Sequence, residues 1–207
     1  MFTTEYGVAS LVLREIPYRQ EAYITMQATQ QPEELLQECI GFCRACGAEK
    51  IYAKGHVYLE KHPVHTSIFK MRGVANVDEA KVENLWPVTE ETVSQWRQFM
   101  NERLQNVDNA ETLEKRDEQE ILSQGGAYFV HRSGELLGSG WLADGKLRLI
   151  AAAIPGAGER VMHTLMSLHP EEELELDVAS TNTRAIRLYE RLGFVKTAEQ
   201  SRWYKVF

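Results

Sequence analysis

Asn182 and Tyr189 are polar residues whose spacing could bring them to one site. On a helix, positions seven residues apart lie almost directly above one another, about 10 Å apart along the axis. A phenol has an unperturbed pKa of about 10, so Tyr189 is protonated near neutral pH and can donate a proton. A core position is the alternative for Tyr189, because the same helix has an apolar stripe. The stripe consists of Ala185, Ile186, Leu188 and Leu192.

The chain around this pair, residues 176–194, has the pattern of a strand, a helix that begins after Asn182 and a helix stop at Gly193. With its run LYERLGF, the segment resembles the hallmark of the GNAT (Gcn5-related) superfamily of acyl-CoA N-acyltransferases. The resemblance implies that Asn182 and Tyr189 line an acyl-CoA cleft. It also implies that Tyr189 protonates the sulfur of coenzyme A as it leaves. Asn182 can at the same time cap the helix through its side chain.

Gly156 and Gly158 stand in a loop before a predicted helix, where backbone N–H groups can hold a pyrophosphate. The resemblance implies a loop of the form Gln/Arg-x-x-Gly-x-Gly/Ala, which this chain matches imperfectly. Aligning the two glycines with the end of that motif puts Ala153 at the basic position, whereas aligning from the helix puts Arg160 and Met162 at the glycines. A tight turn without ligand affinity is the alternative. The expected cofactor-binding residues are Ala153, Ile154, Gly156, Gly158, Arg160, Val161, Asn182 and Tyr189.

The predicted strand 146–154 is the expected source of an oxyanion donor. The resemblance implies that this strand splays from the strand at 173–178 and leaves main-chain groups for the acyl carbonyl. The alanines at 151–153 would let a pantetheine arm lie against the strand. Close packing within the sheet explains the same small residues equally well.

The sequence leaves the general base open. An alkyl ammonium with a pKa near 10.4 must lose its proton before attack, whereas an α-amine near 8 loses it readily, so the requirement depends on the acceptor. The candidates are His131, Glu135 and the acidic segment 111–120. Three tryptophans could shape an acceptor pocket or belong to the core. They are Trp86, Trp96 and Trp141.

All three cysteines lie in one predicted helix at 32–47. Their C-x3-C-x2-C spacing matches a cluster-binding motif only superficially, because such motifs need a loop, and no fourth cysteine completes a zinc site. We interpret them as members of an apolar stripe. The stripe consists of Leu35, Leu36, Cys39, Phe42, Cys43 and Cys46. His56, His62 and His65 have irregular spacing that indicates a polar loop, and no metal site is predicted.

Residues 1–72 are predicted to form an N-terminal α+β extension with the order β-β-α-β-β. Strands are expected at 7–14, 21–27, 50–53 and 66–71, with the cysteine helix between the second and third. This order resembles the latter half of an acyltransferase fold without the Asn and Tyr. We therefore hypothesise a degenerate half-domain, and an unrelated small α+β extension is the alternative.

Residues 74–207 carry the resemblance and are predicted to be the acetyltransferase domain. Ser133-Gly134 and Asp144-Gly145 are strong hairpin signals. Strands are predicted at 84–87, 127–132, 135–143, 146–154, 173–178, near 194 and at 202–206. Helices are predicted at 90–106 after a Thr89 cap, at 110–123, at 159–168 and after Asn182. The fold class is α/β, with a GNAT-like mixed central sheet flanked by helices.

Composition limits the function classes. The formal net charge is −7 and the chain has no dense Lys/Arg cluster, which argues against nucleic-acid partners. No apolar run reaches the roughly 20 residues of a membrane span, and the N-terminus does not resemble a signal peptide, so we expect a cytoplasmic protein without a membrane partner. The expected partner is a small-molecule amine, and a homodimer is compatible with the sequence.

The resemblance implies an N-acetyltransferase that uses acetyl-CoA as co-substrate, without a metal. The amine would attack the thioester directly in a ternary complex, because no cysteine lies in the acyltransferase segment to form an acyl-enzyme. One alternative is a non-catalytic acyl-CoA sensor or scaffold, which the altered glycine loop would suit. Another is an interaction module whose N-terminal extension supplies a surface for a partner.

Overall fold

A computed structural model describes residues 1–207. The chain forms two compact units, one made of residues 1–68 and 199–207 and the other of residues 69–198. The C-terminal residues 199–207 therefore belong with the N-terminal segment. The sequence-based division into 1–72 and 74–207 placed those residues in the second domain, and it stays a prediction about domains.

The first unit is built around a hairpin and a crossover helix. Its elements are β1 (Phe2–Thr4), β2 (Gly7–Val12), α1 (Ile16–Arg19), β3 (Glu21–Thr29), α2 (Pro32–Ala45), β4 (Lys50–Lys54), the start of β5 (Val64–Val74) and the end of β11 (Val195–Lys205). Strands β2 and β3 pair antiparallel, as the predicted hairpin requires, and β4 pairs parallel to β3 after the α2 crossover. The strands of this unit follow the order β1-β2-β3-β4-β11.

Helix α2 contains two of the three cysteines and places both in the core of the first unit, whereas Cys46 follows the helix as its C-cap. Cys39 and Cys43 are fully buried beside Leu35 and Leu36. Burial raises the pKa of the Cys39 thiol to about 11 and that of Cys43 to about 12, so both stay protonated at neutral pH. The predicted stripe was wrong at two positions, because Phe42 is 43% exposed and Cys46 is also exposed.

The second unit contains the remaining elements. These are β6 (Asn84–Pro87), α3 (Val93–Leu104), α4 (Glu118–Gln124), β7 (Ala127–Arg132), β8 (Glu135–Ala143), β9 (Lys146–Ala152), α5 (Gly158–Met166), β10 (Glu173–Ala179) and α6 (Thr183–Arg191), with parts of β5 and β11. Its strand order is β11-β5-β10-β9-β8-β7-β6. The predicted turns hold, since Ser133, Gly134, Asp144 and Gly145 all have positive φ.

Three predicted features of the chain after residue 89 were wrong. The predicted helix 110–123 forms only from Glu118, because Asn101 on α3 hydrogen-bonds both the backbone N–H and the carbonyl of Leu113 at 2.9 Å and holds that segment out of helix. The helix predicted at 90–106 begins at Val93 after Thr92 rather than after Thr89. The two predicted closing strands are one strand, β11.

Glycines in β8 set the position of α5 against the sheet. A Cβ at Gly140 would lie 2.4 Å from Cδ1 of Leu165, and a Cβ at Gly138 would lie 2.8 Å from Cγ2 of Val161. Only glycine allows this close approach of helix to strand. The packing fixes the axis of α5, and therefore the place where the helix begins, beside the end of β9.

Candidate active-site cleft

Strands β9 and β10 pair only at their beginnings. The parallel register joins Lys146 to Glu175 and Leu147 to Leu176, and no further pair follows. On its other side, β9 pairs with β8 along its whole length, up to Ala152. The two parallel strands therefore diverge towards their carboxyl ends, as the sequence analysis expected. Main-chain groups of β9 beyond Leu147 have no partner in β10, which leaves them accessible to a ligand.

A cleft of about 730 Å³ opens at this divergence. Its lining consists of residues 150–156, Gly158 and Glu159, of Arg103, Leu104 and Val107 at and just after the end of α3, and of residues on more than one face of α6. Carboxyl ends of neighbouring parallel strands are the common place for a ligand in an open sheet. All of these residues belong to the second unit.

Helix α5 begins at the wall of the cleft. The first N–H that bonds a carbonyl one turn earlier is that of Val161, which donates to Ala157 at 3.0 Å. The N–H groups of Gly158, Glu159 and Arg160 precede it and have no such partner, as at any helix start. These groups and the helix dipole favour an anion. The altered glycine loop thus still presents a helix N-terminus to the cleft.

Six of the predicted cofactor-binding residues line the cleft, and two do not. The six are Ala153, Ile154, Gly156, Gly158, Asn182 and Tyr189. The side chain of Arg160 points elsewhere and pairs with Glu83, with 2.7 Å between Nη1 and Oε1. Val161 is fully buried and contacts β8. Each residue turns a helix by about 100°, so the third and fourth positions of α5 face away from the cleft. The side chains of Arg160 and Val161 therefore lie outside the cleft, and the assignment of these two residues to cofactor binding stays a prediction.

Tyr189 combines burial with an unbonded hydroxyl. Its ring is 6% exposed and packs against Phe194 with 6.1 Å between centroids. Burial raises the pKa of the phenol above its ordinary value. The hydroxyl has no hydrogen-bond partner in the protein, and the residue lines the cleft. A neutral phenol with a free O–H can donate a proton to a ligand atom.

Asn182 has the capping role that the sequence predicted. Its Oδ1 accepts a hydrogen bond from the N–H of Ala185 at 3.2 Å, at the start of α6. The residue also lines the cleft. Capping engages the side-chain oxygen, so the amide NH₂ group is left for a ligand.

Four arginines that the sequence analysis passed over line the same cleft. They are Arg103 on α3 and Arg184, Arg187 and Arg191 on α6. None of them is paired with a carboxylate. The spacing i, i+3, i+7 places the three arginines of α6 along one exposed helix face, about opposite the face that carries Asn182 and Tyr189. That spacing was a signal available in the sequence. In a chain with a net charge of −7, this is a local cationic surface.

The other candidates lie outside the cleft. His131 packs against the ring of Trp86, with 5.2 Å between centroids, and Glu118 pairs with Arg97 at 2.8 Å. Trp96 and Trp141 are core residues, in T-shaped contact. None of the predicted base residues and none of these tryptophans lines the cleft.

The structure contains neither a metal-binding cluster nor a helix that could span a membrane. No group of three or more His, Cys, Asp or Glu side chains is arranged to hold a metal ion. Of the three histidines of the predicted polar loop, His56 accepts a hydrogen bond from the N–H of Tyr58, and His65 stacks on Tyr52. No helix has the length and apolar character needed to cross a membrane.

No protein-family model matches the chain, and no curated protein matches it. Solved structures do. A conserved protein of unknown function from Staphylococcus epidermidis is 11% identical, with a TM-score of 0.58 over 98% of this chain and 91% of that one. A GNAT-family acetyltransferase from Colwellia psychrerythraea is 14% identical, with a TM-score of 0.51 over 88% and 77%. A GCN5-related N-acetyltransferase from Anabaena variabilis is 12% identical, with a TM-score of 0.58 over 88% and 54%. The second and third of these show that the fold is GNAT-like, as predicted.

Proposed function

We propose that the protein is an acyl-CoA N-acyltransferase that transfers an acetyl group to a small primary amine. The observation that carries this proposal is the cleft between the diverging strands β9 and β10, which joins an unbonded phenol to a row of unpaired arginines. The GNAT-like fold supports the reaction class by analogy, and the residues of the cleft supply the chemical argument.

The cleft suits coenzyme A at three points. The unpaired arginines and the start of α5 match its phosphate groups, because guanidinium and helix N-termini both bind phosphate oxygens. The open edge of β9 after Leu147 can hydrogen-bond the amides of a pantetheine arm. Residues 151–153 are alanines, which leave room beside that edge.

The reaction we propose is direct attack. The amine nitrogen forms a bond to the thioester carbonyl carbon, and a backbone N–H of β9 stabilises the oxyanion. The carbon–sulfur bond then breaks, and the thiolate takes the proton of the Tyr189 hydroxyl. The amine releases its extra proton to solvent, and the same solvent restores the proton on Tyr189. No acyl-enzyme is needed, and the cysteines lie in the first unit.

Acetyl is proposed as the acyl group because the GNAT structures of similar fold are acetyltransferases. A small primary amine is proposed as the acceptor.

Turnover assays on purified protein test the proposal. Acetyl-CoA is incubated with a panel of polyamines, aminoglycosides, amino acids and arylalkylamines, while free thiol is measured and products are identified by mass spectrometry. We expect at least one acceptor to gain the mass of one acetyl group in place of one hydrogen, with thiol release that Tyr189→Phe slows. Thiol release without any acetylated product would mean hydrolysis only and would contradict the proposal.

A non-catalytic acyl-CoA sensor is the second candidate. One observation favours it. Glu159 is the single carboxylate lining the cleft, and its Oε1 accepts a hydrogen bond from Nζ of Lys81 at 2.7 Å. The cleft therefore holds no unengaged carboxylate or histidine to serve as a base. Saturable coenzyme A binding with no turnover on any acceptor would support the sensor.

A further inference from the structure

The segment before β6 is hydrogen-bonded to α5 at several points. The N–H of Asp78 donates to Nδ1 of His163 at 3.1 Å, and the N–H of Glu83 donates to Oγ1 of Thr164 at 3.0 Å. Between these two contacts, Nζ of Lys81 lies 2.7 Å from Oε1 of Glu159. The segment thus brings one lysine to the beginning of the helix that faces the cleft.

The carboxylate of Glu159 stands at the helix start where an anionic ligand would bind, and its negative charge opposes that binding. Glu159 is the second residue of α5 and lines the cleft beside the unpartnered N–H groups of the helix start. Hydrogen bonding by Lys81 is the main cause that holds the pKa of Glu159 below its usual range, so the carboxylate is ionised at neutral pH. An uncompensated negative charge here would repel any phosphate that approaches the same helix start.

Lys81 is the direct counter-charge of Glu159. His163 is 4.0 Å from the carboxylate, but burial lowers the pKa of its imidazole, which is therefore neutral. Asp78 lies 3.3 Å from Lys81 and completes the cluster on the side of the segment. Arg191 acts on Glu159 from α6 only through its longer-range field. Loss of Lys81 would leave the carboxylate without any hydrogen-bonded cation.

We propose that Lys81 is a positioning residue for the phosphate end of the cleft. It neutralises Glu159 and holds the carboxylate on the side of the 78–83 segment, so that an anionic ligand can occupy the start of α5. The inference rests on the proposed function, because it takes the phosphates of coenzyme A as that ligand. Lys81 itself does not line the cleft.

A purely structural role of Lys81 makes a different prediction. If the ion pair only fastened the segment to α5, removing either partner would have the same effect on ligand binding, and removing both would not help. If the charge of Glu159 is what matters, neutralising Glu159 rescues the loss of Lys81. The two variants and their combination therefore separate the roles.

The test is calorimetric titration of the full chain with coenzyme A. Lys81→Met is expected to weaken binding about tenfold, Glu159→Gln to bind at least as tightly as wild type, and the double variant to return to within about twofold of wild type. Lys146→Met is the matched control, because Lys146 is 37% exposed against 36% for Lys81 and makes a 2.6 Å pair with Asp177 outside the cleft. That control is expected to leave the affinity unchanged.

Two results would overturn the inference. One is a Lys81→Met protein that binds coenzyme A as wild type does, and the other is a double variant as weak as Lys81→Met alone. Urea unfolding of each variant checks that the fold is retained. Wild-type protein that binds no coenzyme A would instead overturn the proposed function, and this inference with it.

Discussion

Asn182 and Tyr189 line one cleft from the same face of α6, but only the side chain of Asn182 is hydrogen-bonded within the protein. The asparagine oxygen is occupied by the N–H of Ala185, whereas the tyrosine hydroxyl has no partner. The first residue therefore contributes to the stability of the helix that displays the second. Substitutions at the two positions are expected to separate stability from turnover.

Replacing Tyr189 with Phe is expected to lower turnover about 100-fold, because the departing thiolate loses its proton donor. Affinity for coenzyme A should change little. Stability should change by less than about 1 kcal/mol, since no protein hydrogen bond is lost. Steady-state kinetics and calorimetric titration measure the two effects. Tyr128→Phe, at a strand tyrosine outside the cleft, is the control and should keep full turnover.

The stability of the protein at high pH should depend on Tyr189. Burial raises the pKa of this phenol in the folded state, so its contribution is complete below the unfolded-state pKa of about 10 and is lost as the pH rises through the folded-state pKa. Wild-type protein should lose stability above about pH 10. The Tyr189→Phe variant should lose less stability than wild type over the same pH range. A double variant that also carries Tyr23→Phe should lose still less, because burial raises the pKa of Tyr23 too. Urea unfolding between pH 8 and 11 measures the free energy of unfolding of the three proteins. Identical pH profiles for wild type and Tyr189→Phe would contradict the prediction.

Asn182→Ala should destabilise the protein by about 1 kcal/mol, because the start of α6 loses its cap. Asn182→Ser keeps a capping oxygen and should recover most of that loss. Asn182→Asp also caps, but adds a negative charge to the cleft and should weaken coenzyme A binding severalfold. Urea unfolding and calorimetric titration on the three variants measure stability and affinity separately. If Asn182→Asp bound coenzyme A as wild type does, the phosphates would not lie near this end of α6.

The arginines of α6 should control the salt dependence of ligand binding. Replacing Arg184, Arg187 and Arg191 together with Gln should weaken coenzyme A binding at least tenfold and flatten its dependence on salt, because phosphate contacts to guanidinium are lost. Titrations at low and high salt measure both. Arg116→Gln is the matched control, since Arg116 is 66% exposed, pairs with Glu114 and lies outside the cleft. Equal salt dependence in the triple variant and wild type would remove the arginines from the site.

Gly158→Ala tests the loop before α5 without disturbing the fold. A Cβ at this position would meet Cδ2 of Leu188 at 3.4 Å, which is ordinary contact, and alanine is favourable in a helix. The free energy of unfolding should therefore stay close to that of wild type. The affinity for coenzyme A should fall severalfold, because the methyl group stands where the ligand approaches the backbone. Gly156→Ala should instead destabilise the protein, since Gly156 has a φ of +87°. Unchanged affinity in Gly158→Ala would mean that the loop is a turn and does not bind the ligand.

Features with a local cause were predictable from the sequence. The hairpin turns at Ser133-Gly134 and Asp144-Gly145 need positive φ, and those residue pairs provide it. Helix α6 is bounded by the Asn182 cap and by Gly193, which has a φ of +89°. The expectation that Tyr189 lines a cleft came from the resemblance of residues 176–194 to a known family, and Tyr189 does line the cleft.

Features set by distant partners were not predictable. The direction of Arg160 depends on Glu83, which lies 77 positions away in the chain, and Lys81 is 78 positions from Glu159. The failed helix after residue 110 has a tertiary cause as well, because Asn101 binds Leu113 and overrides the local helix propensity. Periodicity reports only which face of an element is apolar. It cannot say which charged partner reaches that element.

Binding of acetyl-CoA in the cleft is required by every step of the proposed reaction, and titration with acetyl-CoA measures it. The unfolding temperature of wild-type protein and of the triple arginine variant is measured across ligand concentrations. We expect a saturable rise in the unfolding temperature of wild-type protein, which corresponds to about 2.7 kcal/mol of added stability at 100 times the dissociation constant. We expect a much smaller rise for the variant at the same concentration. No rise for wild type at millimolar acetyl-CoA would contradict the account.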